Sequence, residues 1–203
     1  MSTAHGLETE VKIRLTDSAA AKLRLANAQF SESVPRRFEA NTLYDTVDLK
    51  LKHAQMLLRL RHVGDDFIMT WKGPSIPGPH KIRPELETTV GSLETLDQIL
   101  RALGYEPAFR YEKYRTEFKR PPMTTDEGVV TFDETPIGDF FELEGTAEWI
   151  DQTATLLGFE RGAYVLASYG RLYLDHCAAH GIQPSNMVFN DLSYQRNPNV
   201  TGT

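Results

Sequence analysis

The stretch Leu7–Leu15, LETEVKIRL, alternates ionisable and apolar side chains. Side chains of a β-strand point to opposite faces in turn, so a strand here places Glu8, Glu10 and Lys12 on one face and aliphatic residues on the other. In a single strand, this pattern most often means a half-buried strand whose charged face meets water. The stretch alone predicts a strand and leaves its function open.

Charged rows of the same kind return along the chain, each opposite a mostly apolar face. Ordinary surfaces mix charged residues with Thr, Ser and Gln, whereas these rows consist mainly of Arg, Lys and Glu. We therefore expect the charged faces to point into the fold, although a register shifted by one residue would turn them to solvent. The further rows contain Arg59 and Arg61, Lys72, Arg83 with Glu85 and Glu87, Lys113 and Arg115, Asp133, and Glu142 with Glu144.

Capping and turn signals place helices between these strands. Asp17 and Ser92 each precede a helical pattern, and the proline-rich residues 73–79 predict a loop. The pattern predicts an α+β, mainly β fold in which eight antiparallel strands close into a tunnel-like barrel, with about four helices covering its apolar outer face. The predicted helices span about residues 16–28, 92–103, 147–157 and 163–180.

Length and composition indicate a single domain. A chain of 203 residues with 40% hydrophobic and 25% charged content is large enough to bury a substantial core. We expect this domain to span residues 1–182. Residues 183–203 are rich in Asn, Pro and Ser and lack periodicity, so they predict a polar C-terminal tail, a coil that lies on the surface or frays.

The charge and cysteine content exclude several classes of protein. A formal charge of −6 argues against a general nucleic-acid binder or a membrane-surface protein, because such proteins usually present a net basic face. Cys177 is the only cysteine, so neither an intramolecular disulfide nor a thiolate metal cluster can form. No apolar run is long enough for a signal peptide or a membrane span, and we expect a cytoplasmic protein, either monomer or homodimer.

An inward charged face implies a ligand. Burying many charges without partners would cost far more than the net stability of a fold, so the acids and bases must pair, stay hydrated or hold a ligand. Arg and Lys donors match phosphate oxygens, while carboxylates are hard ligands for Mg²⁺ or Mn²⁺. A triphosphate with a divalent metal satisfies both sets.

Glu8, Glu10 and Lys12 form an E-x-E-x-K motif that resembles the signature of the CYTH superfamily, the triphosphate tunnel metalloenzymes. The motif alone has many chance matches, but an ordered set of further segments extends the resemblance over about residues 6–175. It implies an eight-stranded antiparallel tunnel that acts on triphosphates, as in thiamine triphosphatases, inorganic triphosphatases and class IV adenylate cyclases. The further segments are LYDTVDLKL at 43–51, LRLR at 58–61, TWKGP at 70–74, RPELE at 83–87, EKYRTEF at 112–118, TFDETPIGDFFELEG at 131–145 and ASY at 167–169.

The resemblance also implies roles for individual residues. Glu85 and Glu87 match a central acidic strand of the family and either bind metal or orient basic residues, while Arg171 stands where some triphosphatases place a lysine over the substrate. Glu85, Glu87, Arg83 and Lys113 fit structural ion pairs equally well. The implied triphosphate clamp contains Lys12, Arg59, Arg61, Lys72 and Arg115, with Arg83 and Lys113 as helpers. The implied metal ligands are Glu8, Glu10, Glu142 and Glu144, with Asp133 as a further acidic member, and Glu8, Glu10, Lys12 and Asp133 form the implied catalytic set.

Three functions fit these residues. The leading hypothesis is metal-dependent hydrolysis of the terminal phosphoanhydride of inorganic tripolyphosphate or thiamine triphosphate. An adenylate cyclase would hold ATP in the same clamp and release pyrophosphate. A non-catalytic binder of polyphosphate or nucleotides would keep the clamp, but it would gain little from so many carboxylates.

Overall fold

The computed structural model describes residues 6–121 and 128–189. Residues 190–203, which form most of the predicted polar tail, lie outside this description, as do residues 1–5 and 122–127. Within the described ranges, no helix is both long and apolar enough to cross a membrane.

Nine antiparallel strands form one sheet in the described part of the chain, and eight of them close into a barrel. The barrel order is β5-β4-β3-β2-β6-β7-β8-β1, and pairing of β1 with β5 closes it. The ninth strand pairs with β1 beside the closure. The predicted eight-stranded antiparallel tunnel is therefore confirmed. The strands are β1 (Leu7–Leu15), β2 (Ser31–Asp45), β3 (Leu57–Val63), β4 (Asp66–Lys72), β5 (Lys81–Thr89), β6 (Glu106–Lys119), β7 (Gly128–Thr135), β8 (Gly138–Gly145) and β9 (Tyr164–Val165).

The helices begin at the capping residues that the sequence indicates. The Asp17 carboxylate accepts a hydrogen bond from the Ala20 amide, and the Ser92 hydroxyl accepts one from the Thr95 amide. Each cap satisfies an amide that has no partner within its helix. The helices are α1 (Ser18–Asn27), α2 (Lys50–His53), α3 (Leu93–Ala102), α4 (Ala147–Leu156) and α5 (Tyr169–His180).

The last helix is shorter than predicted. Residues 163–168, which the sequence pattern assigned to this helix, instead contain the end of a 3₁₀ turn and strand β9. The Ser168 hydroxyl accepts a hydrogen bond from the Arg171 amide, which fixes the start of α5 at Tyr169. A small polar residue at the N-cap therefore outweighs the continuous apolar pattern before it.

The main core lies between the outside of the barrel and the helices. Val11 and Ile13, on the apolar face of β1, are buried against Leu25 of α1 and Ile150 of α4. Glu8, Glu10 and Lys12 of β1 point to the other side, into the barrel. This arrangement confirms that the charged rows face inward.

Asn186 and Met187, a few residues after α5, pack against the sheet rather than lying free on the surface. Met187 is fully buried, its amide donates to the Arg110 carbonyl and its carbonyl accepts from the Glu112 amide, both at 2.9 Å. The Arg110 amide in turn donates to Asn186 Oδ1 at 2.8 Å. The expected surface coil is therefore wrong at Asn186 and Met187, while residues 183–185 are exposed coil, and the domain boundary at residue 182 stays a prediction.

Candidate active site

The inward faces of the strands enclose a cavity of about 340 Å³. Strand register sets its wall: Glu8 lies opposite Arg83 between β1 and β5. Lys12 likewise lies opposite Glu142 between β1 and β8. The residues of the implied clamp and metal site line this cavity, as do Glu85 and Glu87, whereas Asp133 and Arg171 are not part of its lining.

Three carboxylates meet on one side of the cavity. Glu8, Glu10 and Glu142 are all buried, and each offers an oxygen within 4.8 Å of the others. Carboxylate oxygens at this spacing form a donor set that suits a hard divalent cation such as Mg²⁺ or Mn²⁺. The residues present therefore fit the metal that the family resemblance implies.

Electrostatics within this cluster also favour a cation. Burial and the neighbouring Glu10 carboxylate raise the pKa of Glu142. Glu144 lies opposite Glu10 in the sheet, and burial together with the charges of Glu8 and Glu142 raises its pKa to about 7. Glu144 is not one of the three clustered carboxylates but adds negative charge beside them, and a bound cation would relieve this repulsion.

Lys12 joins the acidic cluster to the cationic part of the wall. Its Nζ lies 3.0 Å from Glu10 Oε2 and 3.5 Å from Glu142 Oε2. Burial alone would lower the pKa of Lys12, but the charges of Glu10 and Glu142 outweigh burial and raise it, so the side chain stays an ammonium. The two carboxylates thus hold a permanent positive charge at the edge of the cluster.

Glu8 is held by two more cations. Lys72 Nζ donates to Glu8 Oε1 at 2.6 Å, and Arg83 Nε donates to Glu8 Oε2 at 3.3 Å. Lys72 also lies 3.2 Å from Glu85 Oε1. The sequence left two roles open for Glu85, metal binding and orientation of a basic residue, and these contacts match the second.

Arg59 and Arg61 extend from β3 into the cavity. Arg59 Nη2 donates to Thr70 Oγ1 at 3.1 Å, and Arg61 Nη2 donates to Glu87 Oε2 at 3.1 Å. Glu87 therefore orients a basic residue in this structure, as Glu85 does. The Nε groups of both arginines are buried and have no hydrogen-bond partner in the described part of the chain. Both guanidinium groups line the cavity, and their positive charge matches the oxygens of an anion such as phosphate.

Asp133 lies behind the clamp rather than in the acidic cluster. Its carboxylate accepts two hydrogen bonds from Arg115 at 2.7 Å, one from Lys113 at 2.9 Å and one from the Tyr169 hydroxyl at 2.7 Å. Burial would raise the pKa of Asp133, but the charges of Arg115 and Lys113 hold it well below its usual range. Four donors occupy its oxygens, so this geometry favours an orienting role over metal ligation.

Arg171 does not reach the cavity. Its side chain is 69% exposed, and its Nε lies 2.9 Å from Asp175 Oδ1 on the next turn of α5. The residues of α5 that border the cavity are Tyr169 and Gly170. Arg171 therefore does not take the place of a lysine over the substrate in this structure.

The sequence model of the CYTH domain matches residues 6–158. The chain belongs to the CYTH domain family.

Similar proteins and structures extend over most of this CYTH chain. A Methanocaldococcus jannaschii protein provisionally named an adenylate cyclase is 24% identical over 151 residues, which cover 74% of this chain and 83% of that protein. A Vibrio parahaemolyticus structure with the same provisional name is 20% identical at a TM-score of 0.70, covering 82% of this chain and 97% of the other. A Hippeastrum structure, provisionally named an adenylyl cyclase and described with a dominant triphosphatase activity, is 17% identical at a TM-score of 0.60, covering 87% and 97%. At these identities, the two structures show that the fold is shared.

Sequence reasoning missed three buried polar residues of the CYTH tunnel. Lys81 donates a hydrogen bond to Glu10, and its place in the same alternating row as Arg83 was a signal that could have identified it. Glu39 lies 3.5 Å from Lys113 and 3.6 Å from Arg61, and Asn41 is buried without a hydrogen-bond partner in the described chain. Both lie on β2 where its register against β6 is continuous, from Arg37 to Leu43, so their spacing of two residues was a signal that could have identified them.

The CYTH tunnel thus combines two kinds of chemistry in one buried space. A carboxylate cluster able to bind a divalent cation lies beside basic side chains whose donors match phosphate oxygens. Lys12 contacts the cluster directly, so the basic wall and the acidic cluster adjoin. The arrangement can bind a metal-complexed polyphosphate and stabilise the negative charge that develops when a phosphoanhydride breaks.

Proposed function

We propose that this protein is a divalent-metal-dependent triphosphatase that hydrolyses the terminal phosphoanhydride of inorganic tripolyphosphate or thiamine triphosphate. The observation that carries the proposal is the contact of Lys12 with Glu10 and Glu142, which joins a buried three-carboxylate cluster to a basic wall. A phosphate-binding site without metal chemistry would gain little from three carboxylates that repel both one another and the ligand.

The basic wall holds the triphosphate and orients it. The guanidinium groups of Arg59 and Arg61 donate to phosphate oxygens, and Lys72 and Arg115 add positive charge on either side. The clamp comprises Lys12, Arg59, Arg61, Lys72 and Arg115, with Arg83 and Lys113 as helpers. These charges are fixed before the substrate arrives, so stabilising the transition state requires little reorganisation.

Glu8, Glu10 and Glu142 hold the metal, Mg²⁺ or Mn²⁺, with Glu144 beside them as a further acidic residue. A divalent cation held by these residues would supply neutralisation of the substrate's negative charge and Lewis-acid polarisation. Carboxylates of the cluster orient a water molecule for in-line attack on the terminal phosphorus. Lys12 then stabilises the negative charge on the transferred phosphoryl group, and Asp133 acts only by orienting Lys113 and Arg115.

The alternative is an adenylate cyclase, in which the ribose hydroxyl of ATP attacks the α-phosphorus and pyrophosphate leaves. The provisional name of the Methanocaldococcus jannaschii relative favours it. The dominant triphosphatase activity described for the Hippeastrum protein shows that an adenylyl cyclase name and hydrolysis coexist within this fold. We favour hydrolysis because the described lining is mainly charged, which suits phosphates, and because hydrolysis requires no recognition of a base.

A product assay separates these functions. Purified protein with Mg²⁺ or Mn²⁺ is given tripolyphosphate, thiamine triphosphate and ATP separately, and orthophosphate, pyrophosphate and cyclic AMP are resolved. Orthophosphate from tripolyphosphate or thiamine triphosphate supports the proposal if it is lost in Glu8→Gln and kept in Glu148→Gln, a change at an exposed carboxylate of α4. Cyclic AMP with pyrophosphate would assign a cyclase. Metal-independent binding without turnover would assign a polyphosphate binder.

A further inference from the structure

The ring of Tyr169 lies against two lysines of the tunnel. Lys12 Nζ is 5.1 Å and Lys113 Nζ is 5.3 Å from the ring centroid, on the buried first turn of α5. Ammonium groups at these distances are attracted to the face of an aromatic ring, and the attraction is stronger where water is excluded. One side chain outside the barrel strands therefore contacts cations on both β1 and β6.

The hydroxyl of Tyr169 makes a separate contact. It donates to Asp133 Oδ2 at 2.7 Å, and this same oxygen accepts from Lys113 at 2.9 Å and from Arg115 Nη2 at 2.7 Å. Asp133 is fully buried. Burial and the Asp133 charge raise the pKa of Tyr169 well above its usual range, so the phenol stays protonated and remains a donor.

The surrounding aromatic residues restrict movement of the Tyr169 ring. Phe140 packs edge-to-face against it with ring centroids 5.5 Å apart, and the Tyr111 ring lies 6.2 Å away. The backbone is fixed just before it, because the Ser168 hydroxyl caps α5. Because the ring is held on several sides, it can restrict the positions of the more flexible lysine side chains that contact it.

We propose that Tyr169 is a positioning residue of the triphosphate clamp, which directs Lys113 and Arg115 towards the substrate by sharing their carboxylate partner, Asp133. The inference rests on the proposed function, since it assigns these cations to triphosphate binding. Without the phenol donor, Asp133 Oδ2 would have only its two cationic partners. Lys113 and Arg115 would then be drawn more strongly towards Asp133, and less of their positive charge would face the cavity.

Tyr169→Phe tests the hydroxyl, because it keeps the ring and its lysine contacts. The matched control is Tyr173→Phe on the same helix, where the lost hydroxyl contacts Ser185 outside the tunnel. Binding of inorganic tripolyphosphate is measured by calorimetry with and without Mg²⁺, and KM and kcat are measured for any triphosphate that is hydrolysed. We expect Tyr169→Phe to raise Kd and KM about fivefold, the effect of one hydrogen bond, while kcat changes less than about twofold.

The Tyr173→Phe control should leave Kd and KM at wild-type values. Tyr169→Leu, which also removes the ring, should raise Kd further than Tyr169→Phe. If Tyr169→Leu fails to fold, the comparison of Tyr169→Phe with wild type is the test. Equal Kd values for wild type and Tyr169→Phe, or an equal loss in both Phe variants, would overturn the inference. Calorimetry needs no turnover. If the wild type binds tripolyphosphate but does not hydrolyse it, the proposed triphosphatase activity is overturned, and the Kd values of the variants still test the role of Tyr169.

Discussion

Arg115 and Asp133 form a two-point ion pair, in which Nε donates to Oδ1 and Nη2 donates to Oδ2, both at 2.7 Å. The same Nη2 also donates to Glu142 Oε2 at 2.9 Å. A planar guanidinium can make these contacts together because its donors are fixed in a fork. Arg115 therefore links the orienting carboxylate behind the clamp to the acidic cluster.

We expect Arg115→Lys to impair both binding and stability although it keeps the charge. An ammonium cannot reproduce the fork, so kcat/KM for the triphosphate substrate should fall at least about tenfold and the free energy of unfolding by about 2–3 kcal/mol. Steady-state kinetics and urea denaturation measure the two effects. Arg36→Lys is the control, because Arg36 pairs with Glu134 at 2.6 Å but its side chain is 50% exposed. A similar loss in both variants would contradict the special role of the buried fork.

The acidic cluster predicts that Mg²⁺ stabilises the fold. A ligand that binds only the folded state raises its stability by mass action, so Mg²⁺ at about 100 times its Kd should raise Tm by roughly 5–10 °C. Glu142→Gln should lose most of this shift because it removes one of the three clustered carboxylates. Thermal denaturation with Mg²⁺ and with EDTA measures it, and Glu148→Gln should behave as wild type. If Glu142→Gln kept the full shift, Glu142 would not be a ligand.

Alternation along the strands predicted the inward charged faces, because position in a strand decides which face a side chain occupies. It could not predict the contacts across the barrel. The family resemblance implied that Asp133 is a further acidic member of the metal site, yet its oxygens accept hydrogen bonds from donors on β6 and α5. Those partners depend on how distant strands and a helix meet, which one stretch of sequence does not show.

The helix after β9, α5, is a second case in which the sequence did not show which residues face the tunnel. Arg171 was predicted to occupy the family lysine position, but two residues on a helix turn the side chain by about 200° from Tyr169. The sequence pattern placed the start of this helix six residues too early, so the face towards the tunnel could not be assigned. The structure puts Tyr169 at the tunnel and leaves Arg171 on the surface.

Arg171→Ala should therefore leave the activity unchanged. The exposed pair between Arg171 and Asp175 contributes little to stability, roughly 0.3–0.5 kcal/mol for an i,i+4 pair. We expect KM and kcat for the triphosphate substrate within about twofold of wild type, as for ordinary exposed substitutions. Arg59→Ala is the positive comparison, because it removes a buried donor from the cavity wall and should raise KM at least about tenfold. A large rise in KM for Arg171→Ala would show that the side chain reaches the substrate in the bound state.

Glu39 predicts a dependence of stability on pH. Burial would raise its pKa, but the charges of Lys113, Arg115 and Arg61 outweigh burial and lower it to about 2 from the ordinary value of 4.5. Because the folded-state pKa is lowered, the stabilisation is fully present above about pH 4.5 and is lost as the pH falls towards 2. We therefore expect Glu39→Gln to lower the free energy of unfolding at pH 7 by on the order of 3 kcal/mol.

Urea denaturation of wild type and Glu39→Gln between pH 7 and pH 2 tests this dependence. The other carboxylates titrate in both proteins, so the difference between the two free energies isolates Glu39. This difference should stay constant down to about pH 4.5 and then shrink, because protonated Glu39 and Gln carry the same charge. Glu160→Gln, at an exposed carboxylate, should differ little from wild type throughout. A difference for Glu39→Gln that did not change with pH would mean that packing, rather than the charge of Glu39, stabilises this part of the tunnel.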